Sequence, residues 1–199
     1  MRRALVLIVF LILAPRAHAG QPRTHDGLFL RLAGGVAFAN SKIEVGGESL
    51  EFTDIGGDGN FAIGGVIAHN LALHGTLWGW AVGDADGEFN GQDFDSNITI
   101  TMSAFGGGLT YYFGPSNVYL SGSVGLGKLE FHDEGDDFLD GDTDNGVVLT
   151  ALLGKEWWVG NSWGLGIAGD INYHSFPADG VDENWDGISF GVLFSATLN

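Results

Sequence analysis

From residue 28 onward the chain alternates between long, largely uncharged stretches and acidic, glycine-rich ones. The uncharged stretches fall at about 28–39, 60–69, 71–82, 98–113, 118–131, 146–158, 163–174 and 187–198. Each is long enough to cross a bilayer as a tilted strand, which takes roughly 9–11 residues. Within them the side chains alternate with a period of two, the signature of a strand with two unlike faces. In the last stretch Ile188, Phe190, Val192, Phe194, Ala196 and Leu198 alternate with Gly187, Ser189, Gly191, Leu193, Ser195 and Thr197. In the seventh, Trp163, Leu165, Ile167, Ile171 and Tyr173 alternate with Gly164, Gly166, Ala168, Asp170, Asn172 and His174. In the fifth, Val118, Leu120, Val124 and Leu126 alternate with Ser121, Ser123, Gly125 and Gly127. The fourth opens with Ile98, Ile100 and Met102 against Thr99, Thr101 and Ser103. The apolar set is expected to face lipid and the small polar set a narrow lumen. A bulge or kink is expected at Gly106-Gly107-Gly108, where the fourth stretch changes register. Trp78 and Trp80 share a register with His74, opposite Leu71, Leu73 and Leu77, which fits either the lumen or an interfacial belt.

The connectors alternate in size. Those at about 40–59, 83–97, 132–145 and 175–186 are long. Those at His69-Asn70, Gly114 to Asn117 and Val159 to Ser162 are short. The long connectors and their edges hold 21 of the 25 acids. Charge is costly in hydrocarbon and free in water, so long acidic loops on one side and tight turns on the other predict an all-β fold. The expected architecture is an eight-stranded antiparallel up-and-down transmembrane β-barrel, with four long outer loops and three short periplasmic turns. Phe61 to Val82 is 22 residues without a Lys, Arg, Asp or Glu. His69-Asn70 at its centre, its glycines and the lack of basic flanks read as a strand hairpin rather than a membrane helix.

The first residues have a different layout. Met1, Arg2 and Arg3 precede an apolar run from Ala4 to Ala14, and Ala17-His18-Ala19 supplies small residues at the positions a signal peptidase reads. Residues 1–19 are expected to be a cleaved signal peptide and 20–199 the barrel domain. Removing the signal leaves five basic residues, Arg23, Arg31, Lys42, Lys128 and Lys155, against all 25 acids, a formal charge near −20. Such a surface repels nucleic acid. With no cysteine there is no disulfide, thiolate metal site or thiol nucleophile.

Aromatic residues gather near the short turns. Tyr111, Tyr112, Phe113 and Tyr119 flank the second, and Trp157, Trp158 and Trp163 the third. Tyr and Trp favour the headgroup layer, so Tyr111, Tyr112, Tyr119, Trp157, Trp158 and Trp163 are expected to form an aromatic girdle.

In layout, residues 28–199 resemble the small outer-membrane barrels of the OmpA and OmpX type. The last strand carries the closest verbal match: Ser189, Gly191, Phe194 and Ala196 resemble the terminal pattern read by the insertion machinery. The chain departs from it by closing on Leu198-Asn199 rather than an aromatic residue. The resemblance implies an outer-membrane location, periplasmic termini, contact with outer-membrane lipid and lipopolysaccharide, and insertion by the barrel-assembly machinery. It implies no single function, because one fold hosts many.

Candidate chemistry is sparse. Arg31 and Asp170 lie in inward registers, and Glu156 fits one. A buried Arg needs carboxylate partners, so an ion network is expected in which Arg31 meets Asp170 or Glu156 and plugs the lumen. Asp140, Asp142 and Asp144 alternate as calcium ligands do, but no Glu closes the loop at the twelfth position. A solvated acidic face accounts for them more simply. No cofactor is expected beyond calcium at these outer loops. His174-Ser175 and His132-Asp133 are the nearest approach to nucleophile chemistry. Neighbours on a strand point to opposite faces, so His174 and Ser175 cannot readily pair, and no Ser-centred glycine elbow exists. Only His132 across from Ser175 is left, and the chain is read as a non-enzyme. The expected role is structural or surface-interacting, with acidic extracellular loops and an unidentified extracellular partner. The alternatives are a small-molecule conduit and a lipid-modifying enzyme.

Overall fold

Strands in hydrocarbon must pair on both edges, because no water is there to satisfy an open one. In the computed structural model, which describes residues 24–133, 141–178 and 180–198, they do. The strands are β1 (Leu28–Val45), β2 (Glu48–Ala68), β3 (Leu71–Val82), β4 (Asp86–Phe89), β5 (Gln92–Phe94), β6 (Ile98–Phe113), β7 (Val118–Asp133), β8 (Gly141–Asp142), β9 (Gly146–Trp158), β10 (Trp163–Pro177) and β11 (Asn184–Leu198). Eight of them, β1, β2, β3, β6, β7, β9, β10 and β11, form an antiparallel ring that β1 closes by pairing with both β2 and β11. The short β4 and β5 extend the sheet from β2, and β8 pairs with β7. Cross-strand partners can be followed once round from Leu30, through Ile63, Gly75, Gly107, Val124, Leu149, Tyr173 and Ile188. The path ends at Asn40, a stagger of ten residues. Such a stagger tilts the strands and sets the bore of a small barrel.

The outward face carries an apolar belt. Leu32, Val36, Ile63, Leu77, Phe105, Leu153, Val192 and Phe194 all project from it and are exposed. The expected hairpin over Phe61 to Val82 is the end of β2 followed by β3. No helix among the described residues is long and apolar enough to cross a membrane. At the end bearing the short turns, Asn70 and Asn117 take positive φ of 60° and 50°. Asn tolerates that left-handed region better than most residues, which lets each chain reversal stay tight.

Several expectations are corrected. The stretch 40–59 is not a loop: β1 and β2 run on as a ladder to Val45 and Glu48, closed by Gly46-Gly47. Both glycines have positive φ, as a two-residue hairpin of the favoured twist requires. Within 83–97, β4 and β5 make a second hairpin about Asn90-Gly91. The register of β6 runs unbroken past Gly106 to Gly108 on both sides. No bulge is needed there because Ile98, Ile100 and Met102 face inward, and Thr99, Thr101 and Ser103 outward. At this end the strands have left the apolar belt, and the polarity of the two faces reverses. The residues expected as signal peptide, 1–19, and the candidate ligand Asp140 lie outside the described residues.

Candidate functional site

The interior forces polar groups together, so it is the first candidate site. An apolar cluster lies toward each end. At the turn end Phe29, Tyr112, Tyr119, Leu152 and Leu193 pack together. At the loop end Phe52, Trp78, Trp80, Ile100, Met102, Leu129 and Phe176 do so. Trp78 and Trp80 are therefore lumenal, and at the mouth Trp185 stacks on Phe52 while Phe131 packs against both at a tilt. Below the turn-end cluster the chain leading into β1 crosses the opening. His25 lies flat on Tyr112, with centroids 3.6 Å apart, and its Nε2 is 3.2 Å from Asn117 Oδ1.

Polar side chains thread between these clusters. Arg31 is fully buried. Its guanidinium donates to Ser121 Oγ at 2.9 Å and to Thr110 Oγ1 at 3.5 Å, and lies 5.0 Å from the centre of the Tyr119 ring. Thr110 in turn contacts His74 Nε2 at 3.0 Å. The expected ion pair is not formed: no carboxylate lies within 4.0 Å of the guanidinium among the described residues. Hydroxyls on the neighbouring inward faces of β6 and β7 reach Arg31 first. Glu156 instead accepts from Thr197 Oγ1 at 2.5 Å and from Tyr112 at 3.3 Å, and interacts with Arg31 through space. Asp170 interacts with Asp58, a residue of the stretch expected as the first long connector. Asp58 shares its inward register with Asn60 and Ala62, and that alternation could have found it.

The expected girdle divides. Tyr111, Trp157 and Trp163 are exposed on the outward face, with Trp158 half-buried. Tyr112 and Tyr119 are corrected to the lumen. Tyr111 and Tyr112 are successive residues and must take opposite faces, and Tyr112 is the cross-strand partner of Tyr119, so both share one side.

The loop end carries the second candidate, an acidic rim. Glu51, Asp86, Glu88, Asp93 and Asp95 surround an open depression of about 530 Å³. Lys42 contacts Glu44 at 2.5 Å. Its ammonium is held above the ordinary lysine range by that hydrogen bond and charge. Lys128 contacts both Glu130 and Asp142 at 2.8 Å. Asp142 is held below the usual carboxylate range by Lys128. Of the calcium candidates, Asp142 is thus already engaged by an ammonium, while Asp144 borders a separate depression beside it. No three His, Asp or Glu side chains converge on a metal position among the described residues.

The nucleophile candidates do not assemble. His132 is exposed on the outward face of β7, and Ser175 hydrogen-bonds Asn184. His174 pairs through Nε2 with Ser41 at 2.7 Å, both wholly buried, and among the described residues its Nδ1 has no partner to orient it.

Comparison with solved structures places this arrangement among known folds. Neisserial surface protein A superposes with a TM-score of 0.58 at 16% identity, over 87% of this chain and 99% of its own. The outer membrane protein OprG of Pseudomonas aeruginosa gives 0.52 at 14%, over 88% and 98%. The chain has the fold of the small outer-membrane β-barrels. No family model matches the sequence, and neither does a curated protein.

Proposed function

We propose that the chain, relieved of residues 1–19, spans the outer membrane of a Gram-negative bacterium as a sealed barrel. It anchors an acidic rim facing outward and acts by surface interaction rather than by passing solutes. The observation that supports this reading is the packing of aromatic side chains inside the bore. Trp78, Trp80 and Phe176 pack across one end, Tyr112, Tyr119 and Phe29 across the other, and Arg31 and Glu156 are spent on internal partners. An eight-stranded barrel has room for little else. The rim adjoins the phosphates of lipopolysaccharide, so divalent cations are needed to bridge the two. The termini face the periplasm, where the barrel-assembly machinery delivers the chain.

Recording from the refolded barrel in a planar bilayer tests the seal. Steady conductance is expected to be absent in 1 M KCl. Long-lived open steps seen in wild type would show a water-filled path and return the conduit reading.

A further inference from the structure

Asp58 on β2 and Asp170 on β10 both turn inward, and their carboxyl groups come close enough in the lumen to interact. Among the described residues Asp58 Oδ2 and Asp170 Oδ1 have no hydrogen-bond partner, and Asp170 is only 8% exposed. Two carboxylate oxygens side by side in a dry site repel, and each has lost its water.

The neighbours extend the same pattern. Asn172, 2% exposed, donates its amide to Asp170 Oδ2 at 2.7 Å and to Ser189 Oγ at 3.0 Å, which leaves its own Oδ1 unpartnered. Asn60, two residues beyond Asp58 on the same inward face, also has an unpartnered Oδ1. The orphan side-chain atoms of β2 and β10, apart from His174 Nδ1, are therefore all oxygens: two carboxylate and two amide.

The backbone makes room for them. Gly35 of β1 is the cross-strand partner of Asp58, and Gly191 of β11 that of Asp170. A Cβ on Gly191 would stand 2.2 Å from Asp170 Oδ1. Charge points the same way. Below the loop-end cluster the described lumen holds one permanent cation, Arg31, against Glu156, Asp58 and Asp170. Arg31 and Glu156 offset each other, which leaves the Asp pair without a permanent cation of its own in the described lumen.

We propose that Asp58 and Asp170 hold one buried divalent cation of the calcium class, with the amide oxygens of Asn60 and Asn172 as neutral ligands. The donors are all hard oxygens, and calcium accepts six to eight in a flexible shell that water can complete. A proton shared by the two carboxyls would satisfy one oxygen pair, but it would leave the amide oxygens orphaned and one charge unbalanced. The sealed-barrel reading stands whether or not this ion is bound. Packing at both ends makes exchange slow, so the ion is captured as the barrel folds.

The test refolds the full mature chain into lipid vesicles with calcium chloride, strips exposed ions with EDTA, and counts metal by mass spectrometry. Wild type is expected to keep about one calcium per barrel. The variants Asp58→Asn and Asp170→Asn should fall to background, and Glu156→Gln, which removes a carboxyl elsewhere in the lumen, should retain it. Asn172→Ala keeps both carboxylates and should speed calcium loss at least tenfold. It is the control that remains should the Asp variants fail to fold. Wild type without retained calcium, or retention unchanged in Asp58→Asn, would overturn the site. A protonated-carboxyl infrared band in metal-free wild type that vanishes in Asp58→Asn would overturn it in favour of a shared proton.

Discussion

Tyr112 and Tyr119 face each other across the β6–β7 ladder, ring centroids 5.6 Å apart, both inside the barrel. Their neighbour Tyr111 points the other way. Truncating a buried aromatic removes packing that the surroundings cannot recover. Tyr119→Ala is therefore expected to destabilise by about 3–5 kcal/mol. Tyr111→Ala leaves only an exposed dent and should cost clearly less. Equilibrium urea unfolding in vesicles measures both, and the reverse order would place Tyr119 in the girdle.

Arg31 and Glu156 are buried without touching, and each depends on hydroxyl partners. Removing one leaves the other's charge uncompensated in the lumen. Arg31→Met alone should cost about 3–5 kcal/mol. The double variant Arg31→Met with Glu156→Gln should recover part of that loss, with a coupling of about 0.5–3 kcal/mol. Strict additivity in the same unfolding measurement would mean that the two charges do not interact.

Leu153 and Thr101 both project outward, Leu153 from the apolar belt and Thr101 from the loop end, where polarity has reversed. A long cation in hydrocarbon is penalised by depth. Leu153→Arg is expected to cost about 2–4 kcal/mol. Thr101→Arg should stay within about 0.5 kcal/mol of wild type. Equal penalties would mean that the belt is misplaced along the axis.

Lys128 ties β8 to β7 through Asp142. The Asp142 carboxyl is lowered, so its contribution is complete above its unfolded range and fades as pH falls through the folded value. Carboxyl NMR should find Asp142 titrating below its ordinary range in wild type, and returning to that range in Lys128→Gln or in high salt. No change between the two proteins would remove the pair.

Alternation makes the strands legible, and in β10 and β11 it also gives the correct faces. A period of two separates the faces without saying which one is inside. That choice depends on height relative to the bilayer, so Ile98, Ile100 and Met102 read as lipid-facing though they fill the loop-end core. The same limit misplaces Tyr112 and Tyr119. Charge patterning hides the rest. Acids mark 40–59 as a loop, although Gly46-Gly47 supplies a two-residue turn and Ile55, 67% exposed, continues the outward register down to Ile63. Asp58 is hidden in that stretch. Asn90-Gly91 is a recognised hairpin signal, masked by the acids around it. The partners of Arg31 are not legible, because two hydroxyls on β6 and β7 become its neighbours only once the stagger is known.

The proposed seal can be tested by thiol chemistry, since the sequence holds no cysteine. Ser123→Cys puts a thiol in the lumen between the two apolar clusters, and Thr101→Cys puts one on the outward face at the rim. With a small charged thiosulfonate applied to intact cells and then to permeabilised ones, the thiol at position 101 is expected to react in both. The thiol at position 123 should react in neither until the barrel is unfolded. Rapid modification at position 123 in the folded barrel, from either side, would show a water-filled path and contradict the closed interior.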